Sequence, residues 1–340
     1  MGWRERLQRD WWRPGLTPLT ALLLPLTGLV RAATALDRRR RPPVRGPVPV
    51  IVVGNLIVGG AGKTPTVIAL VRALQAHGHR PGIVSRGYGR RADGVLEVQP
   101  GQVAADAGDE PLLMALRTRV PVMVCRDRPA AALALCRRHP EVDVLISDDG
   151  LQHHRLARDL ELIVFDERGA GNGRLLPAGP LREPLSRVGR HPALVLYNAP
   201  APSTVLPGLM LSRRLAGAVS LRDWWTGVPA APPRLQALRG RPVLAAAGMA
   251  HPQRFFDMLR GEGLDIRPLP LPDHHPFDTL PWPTGTAEVL VTEKDAVKLR
   301  PDRVGETAVW VVALDLSLPE AVIDRCLALL PDGPAAPSSS

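Results

Sequence analysis

Lysine is scarce in this sequence: Lys and Arg together number 43, yet the lysines are Lys63, Lys294 and Lys298 alone. Aromatic residues make up 4%, and Cys125, Cys136 and Cys326 are widely spaced. Each shortage excludes something. Dispersed arginines without interleaved aromatics do not make a base-stacking platform, so a nucleic-acid partner is not expected. Three scattered cysteines match neither a zinc pattern nor a disulfide framework, and a reducing compartment is the simpler reading. No internal repeat is present. What remains is a chain of 340 residues, 45% apolar and 22% charged, long enough for two cores. Its formal charge of +10 favours an anionic partner, such as an acidic membrane surface or a phosphorylated substrate.

The first forty residues stand apart. A charged start with Trp11 and Trp12 leads into an apolar run from Leu16 to Val30, closed by the arginines 38–41. A signal peptide, a spanning helix, a helix packed on the protein's own core and an interfacial segment compete for it. Arg31 interrupts the approach to a cleavage site, and the run, with Pro18 and Pro25, is shorter than the roughly 20 residues a span requires. An amphipathic, membrane-associating helix over 1–46 fits best, with the tryptophans at headgroup depth and the arginines facing anionic lipid.

From Val48 onward the pattern alternates between strand and helix, as in a mostly parallel sheet sandwiched by helices. Buried strands are expected at Val48–Val53, Gly82–Ser85, Val120–Val124, Val142–Ser147, Leu160–Phe165 and Ala193–Tyr197, with a helix over Pro65–Ala76. These define a P-loop NTPase-like domain over 47–200. Periodicity fades over 201–239, read as a connector with room for a hairpin around Leu211–Leu221. A smaller α/β domain is expected over 240–330, and a disordered tail over 331–340.

Between the first strand and its helix lies Gly59-Gly60-Ala61-Gly62-Lys63-Thr64-Pro65. Glycines let successive N–H groups curl around phosphate oxygens, Lys63 reaches the outer phosphates and the Thr64 hydroxyl is placed for Mg²⁺. Ile57 stands where the first glycine of the general pattern is expected. In a chain that otherwise uses arginine, a lysine here suits a site where a compact ammonium must fit among phosphates. A second buried strand ends in Asp148-Asp149-Gly150, delivering two carboxylates to the sheet edge where open α/β proteins bind ligands. Together they imply a site for ATP and Mg²⁺, with Thr64, Asp148 and Asp149 near the metal. A turn chosen for backbone geometry is the plainer account of Asp148-Asp149. A membrane-associated ATPase or GTPase switch without a small-molecule acceptor shares these features.

Five further segments narrow the choice: Ser85-Arg86-Gly87-Tyr88-Gly89, Gly108-Asp109-Glu110-Pro111, Asp148 to His153, Leu176 to Glu183, and Thr292 to Lys298. With Gly54-Asn55 and Asp273-His274, the chain resembles the tetraacyldisaccharide 4'-kinase family of lipid A biosynthesis over nearly its whole length. The resemblance implies transfer of ATP's γ-phosphate to the 4'-hydroxyl of a tetraacylated glucosamine disaccharide 1-phosphate, giving lipid IVA at the cytoplasmic face of the inner membrane. It implies Asp109 as general base with His274 as its partner, and Glu183 near the metal. Arg86, Tyr88 and Arg182 are expected at the substrate. By residue type alone Asp109 reads equally as an acid in a helix's first turn, and Glu183 as a loop anchor. The task of Lys294 and Lys298 is left open, a contact closing the two domains being one candidate. A monomer is expected.

Overall fold

The computed structural model describes residues 2–40, 42–90 and 93–331. Side chains 38–41, expected to face lipid, and the tail from 332 onward lie outside the described part.

Eight strands form the first sheet: β1 (Val50–Gly54), β2 (Pro81–Ser85), β3 (Leu96–Glu97), β4 (Val122–Val124), β5 (Val144–Asp148), β6 (Leu160–Asp166), β7 (Ala193–Asn198) and β8 (Leu209–Met210). Their order is β3-β4-β2-β5-β1-β6-β7-β8, parallel except where β3 meets β4. Both faces are covered, which is why the central strands read as unbroken apolar runs. Ile51 and Val53 of β1 join the core beneath the helices Lys63–Ala76 and Asp109–Thr118. Val50 and Val52 join the opposite core with helix Arg128–Arg138. In register, Val53 lies beside Asp148, so the carboxylate-bearing strand ends next to the phosphate loop.

The second sheet holds β9 (Ser212–Ser220), β10 (Val243–Ala247), β11 (Ile266–Pro270), β12 (Glu288–Thr292) and β13 (Ala308–Ser317), in the order β11-β10-β12-β13-β9. Here the region 201–239 differs from the expected connector. β8 extends the first sheet, and β9 pairs antiparallel with β13, so Leu211–Leu221 forms no hairpin of its own. The proline-rich surroundings hide a strand whose partner lies about a hundred residues downstream, a pairing that local pattern does not reveal. The two sheets also share a core: Leu70 and Leu112 pack in one cluster with Val219, Trp224, Val291 and Val311.

At the N-terminus, helix Trp3–Trp11 precedes a longer helix, Pro18–Arg40. Its stretch Pro18–Leu36 has a mean hydropathy of 1.6 and is 6% buried, which removes the core-helix reading. At 19 residues it is long and apolar enough to cross a membrane by length and composition, longer than the run Leu16–Val30 suggests, because Ala32, Ala33, Thr34, Ala35 and Leu36 continue it. Trp11 and Trp12 are not displayed for lipid headgroups. Trp11 Nε1 donates to the Pro177 carbonyl at 3.0 Å, and Trp12 packs beside the first domain's core.

Candidate active site

The loop after β1 is held from outside at three consecutive carbonyls. Asn55 Nδ2 donates to Gly59 O at 2.8 Å, Arg168 Nη2 to Gly60 O at 2.9 Å and Asn198 Nδ2 to Ala61 O at 3.0 Å. In a trans peptide the C=O and the following N–H point in opposite directions. Tethering these oxygens therefore aims the N–H groups of Gly60, Ala61 and Gly62 to the other side, the inward-facing array that binds phosphate. Gly62 sits at φ 95°, and a Cβ there would run into the Asn198 amide, so glycine is required on both counts. Ile57, the departure from the general pattern, is fully buried and bridges to Leu181. A glycine there would lose that packing against segment 180–182, which also bonds through Val58 N to Pro180 O.

Lys63 Nζ lies 3.3 Å from Asn55 Oδ1 and 3.6 Å from Asp149 Oδ1. Arg182 Nη1 reaches the same Asp149 oxygen at 2.9 Å and Asn55 Oδ1 at 3.3 Å. Burial pushes the Asp149 carboxyl up, but Lys63 and then Arg182 outweigh it and hold the group below its ordinary value. Asp148 is the reverse case. Burial, followed by the neighbouring Glu110 and Asp149 carboxylates, raises it from 3.8 to about 7. Ser85 Oγ donates to its Oδ2 at 3.0 Å, while its buried Oδ1 has no hydrogen-bond partner among the described residues. Buried Arg128 holds the strand end, donating to the Asp148 carbonyl at 3.0 Å; desolvation lowers its own proton affinity to about 10.

Asp109 opens the helix Asp109–Thr118, and His274 reaches it from the second domain, with Nδ1 at 3.1 Å from Asp109 Oδ2. His274 adopts φ 59°, an uncommon conformation for a non-glycine residue. The remaining two lysines converge here. Lys298 Nζ lies 3.9 Å from Asp109 Oδ2 and 3.2 Å from Asp295 Oδ1, and Lys294 Nζ lies 3.1 Å from Asp273 and 3.4 Å from His274 Nε2. Glu293, in the same segment, pairs with Arg117 of the first domain and accepts from Trp224 Nε1 at 3.1 Å. A cavity of about 1220 Å³ opens beside the pair, lined by Tyr88, Asp109, His274, Phe277 and Lys298 among others.

The sequence-predicted residues thus fall into two groups. Lys63, Asp148, Asp149 and Arg182 gather at the loop, with Gly59 to Pro65 and Thr64 on it. Asp109, His274 and Tyr88 gather at the cavity, where the Tyr88 ring lies 6.1 Å from that of His274. Arg86 is exposed. Arg182, expected at the substrate, is turned to Asp149 because that carboxylate offers it a paired contact. Glu183 is buried between Arg187 at 2.7 Å and His154 at 3.0 Å, the arrangement of a loop anchor. Sequence reasoning missed Asn55 as the residue joining Lys63 to Arg182, Arg128 behind Asp148, Arg168 over the loop, and Asn198 as the clamp on the Ala61 carbonyl. For Asn55 and Asn198 the only signal was a polar residue at a strand end.

Residues 19–330 match the family model for Tetraacyldisaccharide-1-P 4'-kinase. The chain is 56% identical over 338 residues to the tetraacyldisaccharide 4'-kinase of Methylibium petroleiphilum, covering 95% of this chain and 94% of that one. It is 55% identical to that of Leptothrix cholodnii, covering 96% of each. Its fold is similar to a crystal structure of LpxK from Aquifex aeolicus in complex with ATP, with a TM-score of 0.76, 29% identity, and coverage of 92% of this chain and 100% of that one.

Proposed function

The chain belongs to the tetraacyldisaccharide 4'-kinase family, and from that premise we propose how its residues divide the work. The enzyme transfers the γ-phosphate of ATP to the 4'-hydroxyl of tetraacylated glucosamine disaccharide 1-phosphate, forming lipid IVA. It works peripherally or monotopically at the cytoplasmic face of the inner membrane, with the exposed stretch Pro18–Leu36 as its lipid contact.

In our reading the amides of Gly60 to Gly62 and the Lys63 ammonium hold the outer phosphates of ATP. Mg²⁺ fits the donor set of Thr64, Asp148 and Asp149, because the unpartnered Asp148 Oδ1 is an oxygen ligand without a competing hydrogen bond. Among the described residues no three His, Cys, Asp or Glu side chains form a metal cluster, as suits an ion that takes one or two carboxylates and the phosphates. Bound there, Mg²⁺ would neutralise charge on the phosphate oxygens. Glu183 is a further carboxylate for the metal only if its pairs with Arg187 and His154 give way; otherwise it fixes the loop that carries Arg182.

Asp109 accepts the proton of the 4'-hydroxyl as that oxygen bonds to the γ-phosphorus and the bond to the β-phosphate oxygen breaks, releasing ADP. His274 keeps one Asp109 oxygen occupied and so orients the other toward the acceptor. Tyr88 borders the cavity that receives the sugar, exposed Arg86 stands two residues before it on the same loop, and a monomer suffices because one chain supplies both Asp109 and His274.

The observation that carries this reading is the 3.1 Å Asp109–His274 contact across the two domains, beside the cavity. The test uses the full chain in detergent with γ-labelled ATP and the tetraacylated disaccharide 1-phosphate. Label should pass to the lipid, and Asp109→Asn should abolish transfer while ATP binding persists. Wild-type turnover in that variant removes Asp109 from the chemistry.

A further inference from the structure

Of the three clamps on the phosphate loop, two are neutral amides inside the first domain, from Asn55 and Asn198. The third, Arg168, is a cation with a different dependence. Asp166, fully buried at the end of β6, fixes one edge of its guanidinium through Nε at 3.0 and 2.9 Å and Nη2 at 2.8 Å. The face of the guanidinium is covered by Trp12, with Cζ 4.5 Å from the ring centroid. Trp12 belongs to the N-terminal segment, which is locked at the residue next to this contact. Trp11 O accepts from Asn172 N at 2.8 Å, and Trp11 Nε1 donates to Pro177 O. A Cβ on Gly171 would press on the Trp11 carbonyl and the Trp12 ring, so the segment lies tight against this turn. A continuous path runs from the membrane helix through Trp12 and Arg168 to the Gly60 carbonyl.

We propose that Arg168 is a positioning residue for the phosphate loop and that Trp12 sets its orientation, so that seating of the N-terminal membrane segment tightens the enzyme's hold on ATP. The inference rests on the loop 59–65 being the ATP-phosphate site. Planar stacking restricts rotation of the guanidinium about its Asp166 contact, keeping Nη2 on Gly60 O and the Ala61 N–H turned inward. Arginine is required because one group must stack, pair with a carboxylate and donate to a carbonyl at once, which an ammonium does not do.

The test measures ATP affinity and the KM for ATP of the full chain in detergent for Trp12→Leu, Trp12→Phe, Arg168→Met and the Trp12→Leu/Arg168→Met pair. Leucine keeps apolar bulk but has no π face, and loss of the stacking contact is expected to weaken ATP about three- to tenfold. Phenylalanine should restore most of it. Arg168→Met should weaken ATP more, and adding Trp12→Leu to it should cost nothing further, since the two act in series. In the Trp12 variants the loss should fall on the KM for ATP and much less on turnover at saturating ATP and acceptor, which separates positioning of the loop from a loss of folded protein. Arg168→Lys, which keeps the charge, should also weaken ATP at an unchanged thermal midpoint and covers the case in which the leucine variant does not fold. Wild-type ATP affinity in Trp12→Leu or Arg168→Lys, or additive losses in the pair, overturns the proposal. Failure of the wild-type chain itself to bind ATP would instead sink the reading of the loop.

Discussion

The two ends of the candidate site, the loop after β1 and the cavity beside Asp109, are built on different plans. At the loop, Asn55, Lys63, Asp149, Arg182 and Asn198 all come from the first domain, and each is tied to another member or to the loop backbone. At the cavity, Asp109 comes from the first domain, whereas His274, Lys294 and Lys298 come from the second. The first arrangement is complete within one core. The second exists only while two sheets stay in register, which the shared apolar cluster and the buried Arg117–Glu293 pair maintain. Binding of ATP can therefore survive disturbances that stop transfer, and the reverse is not expected.

The sharpest way to break that contrast is Asp109→Asn, which should lower kcat by about 10²–10⁴ while leaving ATP affinity unchanged; calorimetry of ATP binding beside the transfer assay reads both. Lys63→Met strikes the other end. It should lower kcat/KM by about 10²–10³ and weaken ATP as well, and a variant with normal ATP affinity would contradict the loop's assignment. Removing the cross-domain partner with His274→Ala should cost about 10–100-fold in kcat, as loss of an orienting group does elsewhere, with no change in ATP affinity. The smallest effect is on stability. Because burial and its carboxylate neighbours raise Asp148 to about 7, its proton favours the folded chain. That contribution is complete below pH 3.8 and is lost as pH climbs to about 7. Asp148→Asn, which needs no proton to stay neutral, should then be more stable than wild type near neutral pH without metal, seen as a thermal-midpoint gap that closes toward pH 4. It should also lose activity. A gap independent of pH would show that Asp148 is not the group responsible.

Much of this was legible in the chain. β1, the loop and β5 announce themselves because buried parallel strands are unbroken apolar runs and because phosphate binding demands glycine and lysine in a fixed order. The region around β9 was not legible, since its partner β13 is distant in sequence and its own pattern is broken by prolines. At the candidate site, Lys63 and Thr64 are proposed from chemistry alone, whereas Asp109 and His274 needed the family resemblance: an acid in a helix's first turn and a histidine in a loop each have ordinary explanations, and what the sequence does not display is the 3.1 Å between them. Arg168 and Asn198 stayed hidden because their function lies in which carbonyl they touch, and nothing in the pattern of residues encodes that.

The lysine distribution has a practical corollary. Every side-chain amine in this protein lies within the candidate site, one on the loop after β1 and two beside the Asp109–His274 pair. An amine-directed reagent consequently meets no lysine elsewhere, so lysine acylation would report on the candidate site. Protection by ATP should shield Lys63 selectively, and protection by the lipid acceptor should shield Lys294 and Lys298, giving a chemical footprint in which each substrate marks its own half of the site.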